Sequence, residues 1–155
     1  MSNYSVRAVR CDYLSDDEEV FQALSRATKP LKDTWERLSK AKRIGIKINQ
    51  DKPKDRWVRH EGQLQQLVSE KVVRALLRLL RERTSADLIC SDVSFYGIYN
   101  GTNPLETGTA LPLLKEFGVE YVDCTKPPYK LSLIHISEPT RPERIACAGV
   151  CLEKK

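Results

Sequence analysis

Histidine, glycine and closely spaced cysteine are scarce in this chain, and each scarcity excludes a class of site. Two histidines in 155 residues leave little for a multi-histidine metal centre. The seven glycines are too sparse for a nucleotide loop: Gly97 and Gly101 follow neither GxGxxG nor GxxxxGK spacing, so recognition of a cofactor by motif fails. Cys11, Cys90 and Cys124 lie far apart and no pair of them has metal-ligand spacing, which suits reduced thiols in a cytoplasmic chain better than a disulfide framework. No apolar run approaches the length of a membrane span, and the start, MSNYSVRAVR, lacks the apolar core of a signal peptide. A membrane partner is therefore not expected, and cytoplasmic residence is.

The end of the chain has a different character. Leu131 to Arg141 reads LSLIHISEPTR, which is similar to the in-frame translation of a transposase-based sequencing-library adapter. Pro142, Glu143 and Arg144 stand where a sample index would lie. Beyond them Ile145, Ala148, Cys151 and Leu152 fall where the far end of the adapter would place them. Residues 131–155 are therefore read as an artefactual adapter-derived tail and residues 1–130 as the N-terminal part of one α/β domain, truncated by it. Cys147-x-x-x-Cys151 beside His135 then carries almost no weight as a metal site. A sheet cut short in this way is expected to leave an unpaired strand edge.

The formal charge of +5 includes +1 from that tail, with four Lys/Arg against three Glu. The remainder is mildly basic, which makes a weak electrostatic case for nucleic acid.

Helical and extended periodicities alternate along residues 1–130. Tyr4 to Cys11 alternates partly and predicts a short edge strand. Ser15, followed by Asp16, Asp17 and Glu18, reads as a capping box opening a helix that turns Val20, Phe21 and Leu24 inward. After Pro30, Leu31, Trp35 and Leu38 give a second helix its apolar stripe. Arg43 to Asn49, RIGIKIN, places Ile44, Ile46 and Ile48 at period two and predicts a central strand. The polar stretch Gln50 to Gly62, with Pro53 and Trp57, is long for a connection and reads either as a functional loop or as a passive surface segment.

From Leu64 to Leu80 a wide apolar face, including Val68, Val72, Ala75, Leu76 and Leu79, predicts a largely buried crossover helix. Arg74, Arg78 and Arg81 recur on its polar face, a solvated stripe within reach of Glu70 and Glu82. Ala86 to Ser91 predicts a second strand, followed by a loop with the Asn100-Gly101 turn signal. Thr107-Gly108-Thr109 leads into a helix from Ala110 to Phe117 stopped by Gly118, and Val119 to Val122 predicts a third strand. This order is that of an α/β fold: a mostly parallel sheet with crossover helices, incomplete here.

Ligands of open parallel sheets bind outside the carboxyl ends of the strands. Lys47 and Asn49 share one face at the end of the first strand, and Asp92 and Ser94 close the second. These four are the candidate ligand-binding residues. A lysine rising from a sheet needs a carboxylate or an anion, which makes a Lys47 to Asp92 pairing attractive. For Asp92 and Asp123, helix capping is the competing role. His60, beside Arg56, Trp57 and Arg59, has no identified acid partner and reads as solvated. No catalytic constellation emerges, and the partner expected is an unidentified small molecule of anionic character.

The order of IGIKIN, a long loop, SEKVVRALLRLLRE, SDVS, TGT and GVEYVD resembles the domain-of-unknown-function 362 family. Lys47-Ile48-Asn49 is similar to its K-P-N strand end, with Ile in place of Pro. Ser69 to Ala75 is similar to its T/S-x-P-E-V-V-R-A segment without the proline, and Ser91-Asp92-Val93-Ser94 loosely to its G-D-S turn. The resemblance runs from about Arg43 to Asp123. It implies an iron–sulfur or redox-associated protein whose cluster is held by a ferredoxin-like C-x-x-C-x-x-C-x-x-x-C segment further along a longer chain. Cys11, Cys90 and Cys124 do not carry over as its ligands, so no cofactor is assigned to this fragment.

Overall fold

Ile44, Ile46 and Ile48 are all buried while Arg43, Lys47 and Asn49 between and beside them are exposed, the signature of a strand with one face against a core. The computed structural model describes residues 6–49, 54–65, 67–92, 110–123 and 150–152. Its helices are α1 (Asp17–Thr28), α2 (Lys32–Ser39), α3 (Glu70–Arg83) and α4 (Leu111–Glu116). Its strands are β1 (Arg43–Lys47), β2 (Arg59–His60), β3 (Gln63–Leu64), β4 (Asp87–Asp92), β5 (Glu120–Asp123) and β6 (Val150–Leu152).

The main sheet has the order β5-β4-β1-β6. Strands β1, β4 and β5 are parallel, and β6 joins β1 antiparallel through Ile44↔Leu152, Gly45↔Cys151 and Ile46↔Val150. The chain is thus mixed α/β with three parallel strands, and β1 is interior as its isoleucines predict. An unpaired edge is expected from the sequence without its place being fixed; the β1 side of the sheet is paired by β6, a strand from the segment that reads as adapter. Strand addition works through backbone N–H and C=O groups, which any extended segment supplies.

One apolar cluster joins the sheet to its helices. Ile44, Ile46, Ile48, Leu88 and Cys90 meet Val73, Leu77 and Leu80 of α3 and Leu113 and Leu114 of α4. Both helices therefore lie on the same side of β1 and β4. Full burial of a side chain such as Ile44 or Leu77 contributes about 1.5–3 kcal/mol. A smaller cluster of Phe21, Ala75 and Leu79, backed by Val20, Leu24 and Trp35, seats α1 against α3.

Several boundaries differ from those the sequence predicts. Residues 6–12 form no strand and are exposed throughout. The capping box sits one residue later than expected: Asp16 Oδ1 accepts from Glu19 N–H at 2.8 Å and Glu19 Oε2 from Asp16 N–H at 3.0 Å. Leu31 is the exposed N-cap of α2 and packs in no core. Helix α3 begins at Glu70, six positions after Leu64, because Leu64 is taken by β3, where it pairs with Arg59. The C-terminal stop at Gly118 holds, with φ +60°. The Asn100-Gly101 turn, Thr107-Gly108-Thr109 and Cys124 lie outside the described residues, as does most of 131–155.

Candidate functional site at the strand ends

Parallel register decides which candidate residues meet. Lys47 of β1 aligns with Ser91 of β4, and Asp92 aligns with Asp123 of β5. Lys47 and Asn49 are exposed and alternate with buried Ile46 and Ile48, so both stand on the side of β1 away from the core. The Lys47 ammonium donates to the Ile48 carbonyl at 3.1 Å, which folds it over the strand end. The expected partner, Asp92, is one step further along β4 than the residue aligned with Lys47. The side chain of Asp92 and the whole of Ser94 lie outside what the structure describes.

Ser91, which the register sets opposite Lys47, is not among the candidates read from the sequence. Only the offset between β1 and β4 could have found it, and that offset depends on how α3 spans the two strands.

The described part of the connection from β1 to α3 carries hydrogen-bonded structure of its own. Val68 N–H donates to the Asn49 carbonyl at 3.0 Å, drawing the two ends of the excursion together. Inside it, β2 and β3 form a two-residue-turn hairpin through Glu61 (φ +47°) and Gly62 (φ +79°), the left-handed pair that such turns demand. The Arg59 guanidinium lies 5.8 Å from the centroid of Trp57 and donates to the Gly62 carbonyl at 2.9 Å. His60 is exposed on β2.

The arginines of α3 do structural work. Arg74 bonds Glu116 of α4 at 2.6 Å and Asp17 of α1 at 3.3 Å. Arg78 bonds Glu18 at 2.6 Å and Glu82 at 2.9 Å, with its guanidinium 3.6 Å from the Phe21 ring centroid. Arg81 donates to the carbonyls of Phe117, Gly118 and Ala86. Glu82 pairs as expected, whereas the ion-pair partners of Arg74 come from neighbouring helices.

The described thiols do not fit a cluster. Cys90 is fully buried beside Ile46 and Leu88, and Cys11 is exposed on the segment before α1. Among the described residues no three His, Cys, Asp or Glu gather as a metal site needs, and no helix is long and apolar enough to cross a membrane. No protein-family model matches the chain, and no curated protein or solved structure matches it.

Proposed function

We propose that this chain is a small-molecule-binding α/β module that holds an anionic ligand at the carboxyl ends of β1 and β4. The observation that carries this reading is the alignment of exposed Lys47 with Ser91 at the ends of two adjacent parallel strands, where open α/β sheets bind their ligands. Lys47 supplies the charge, and Asn49 and Ser91 supply donors beside it. Asp92 and Ser94, which follow Ser91 in the sequence, are the other members of the proposed set. Inorganic phosphate and citrate are the first probes. A thermal shift with either that disappears in Lys47→Ala supports the site, and one that persists in that variant removes it.

The motif order resembling the domain-of-unknown-function 362 family supports a second reading, an iron–sulfur or redox-associated protein. Its cluster ligands would lie outside the described thiols, so no step is assigned to them. Resequencing the source locus through the codon for Lys130 decides this: a continuation carrying four closely spaced cysteines supports it, and one without them ends it.

A further inference from the structure

Helices α1 and α3 run in the same direction, because their contacts climb together: Ser15 with Lys71, Asp17 with Arg74, Glu18 with Arg78 and Ser25 with Arg83. The face of α1 beside that seam carries Val20, Ala23, Leu24 and Ala27, an i, i+3, i+4, i+7 stripe whose two alanines leave room. The segment before α1 crosses above this stripe without filling it. A cavity of about 370 Å³ remains, walled by Val9, Cys11 and Tyr13 on one side and by Ser69, Lys71 and Val72 on the other. That volume is at the lower end of small-molecule sites.

The cavity is polar at one end and apolar along its length. Lys71 donates to the Ser15 carbonyl, which anchors its ammonium at the start of α1 with two N–H groups to spare. Tyr13 and Gln63 line it too, tied together because Gln63 Nε2 donates to the Tyr13 carbonyl at 3.1 Å. The stripe from Val20 to Ala27 runs away from that end for about 10 Å at 1.5 Å per residue. Asp12 lines the wall with its Oδ1 accepting from Leu14 N–H at 2.9 Å, and its charge disfavours a second negative group on a ligand. Val9 and Val72, 36% and 43% exposed, are apolar rims of the kind a ligand covers.

We propose that this groove binds a monoanionic amphiphile, a medium-chain carboxylate, with its head at Lys71 and its unbranched chain laid along Val20, Ala23, Leu24 and Ala27. An extended chain advances roughly 1.3 Å per bond of about 1.5 Å, so about eight carbons fill the stripe. The site is separate from the strand ends and stands or falls independently of them.

The test is isothermal titration of the full chain with hexanoate, octanoate, 1-octanol and suberate, the eight-carbon dicarboxylate. Octanoate is expected to bind several-fold more tightly than hexanoate, since each buried methylene is worth up to about fourfold, and suberate more weakly than octanoate. Lys71→Met is expected to weaken octanoate about five- to tenfold while changing 1-octanol less than twofold. Ala27→Trp, which fills the tail end, abolishes both. Val9→Trp closes the groove from the irregular segment and gives the same loss without touching the core. Equal loss of octanoate and octanol in Lys71→Met, octanoate binding that survives both tryptophans, or a groove occupied by a second copy in sedimentation overturns the proposal.

Discussion

Arg74 and Glu116 meet at 2.6 Å although they are carried by two different helices, and the same guanidinium reaches Asp17 on a third. One residue of α3 thereby ties α4 and α1 to the central layer. Exposed ion pairs are worth up to about 1 kcal/mol before screening by salt, and Arg74 is about one-third exposed. Arg74→Ala is expected to lower stability by a few tenths of a kcal/mol to about 1 kcal/mol. Urea denaturation at low and at high salt checks this, with the difference between wild type and variant shrinking as salt rises.

Acid should loosen the seam between α1 and α3. Hydrogen bonds from Gln22 and then Arg78 hold the Glu18 carboxyl below the ordinary glutamate value. A depressed folded value contributes stability that is present above the unfolded value, about 4.3, and is lost as pH falls through the folded one. The wild-type Tm is therefore expected to drop more than that of Glu18→Gln between about pH 5 and pH 3. Parallel melts across that window, read by circular dichroism, would show equal slopes if the carboxylate contributed nothing.

Leu77 is fully buried where α3 meets β1 and β4. Leu77→Ala is expected to cost about 2–5 kcal/mol, whereas Val72→Ala, on the half-open rim of the groove, should cost much less. The pair of denaturation midpoints tests whether the core lies where the structure puts it.

The contrast between Leu77 and Val72 also shows what the sequence made legible. Ile44, Ile46 and Ile48 announced an interior strand because period-two burial needs only local chemistry. Leu64 and Val72 misled, since both fit a helical stripe, yet the hairpin captured the first and the groove beside α1 exposed the second. Those outcomes depend on residues far along the chain, as the tie from Gln63 to Tyr13 does. At the strand ends, Lys47 and Asn49 could be placed on one face from alternation alone. Their neighbour Ser91 could not, because register between parallel strands is set by the crossover and leaves no local mark.

Gly62 offers a test of the excursion between β1 and α3. Its φ of +79° is strained for any side chain, while a Cβ there would meet open space. Gly62→Ala is therefore expected to cost about 1–2 kcal/mol of hairpin stability through backbone strain alone. Because Gln65 N–H donates to the Val58 carbonyl across the hairpin, the loss should appear as faster hydrogen exchange at Gln65 with little change in the core amides.

Removing residues 131–155 tests how β1 tolerates its edge. Strand β6 covers Ile44, Gly45 and Ile46 through three aligned pairs, while α3 and α4 hold the other components of the core together without it. Chain 1–130 is therefore expected to keep the helical circular-dichroism signal and a cooperative melt, because the large apolar cluster does not depend on a three-residue strand. What it loses is cover for a β-branched strand whose backbone groups then face solvent, and such an edge recruits any extended segment that reaches it. Sedimentation velocity should accordingly show concentration-dependent association of 1–130 where the full chain remains monomeric. If 1–130 stayed monomeric at every concentration, the pairing of β6 would have no protective role and Lys47 at the end of the strand would already suffice as its guard.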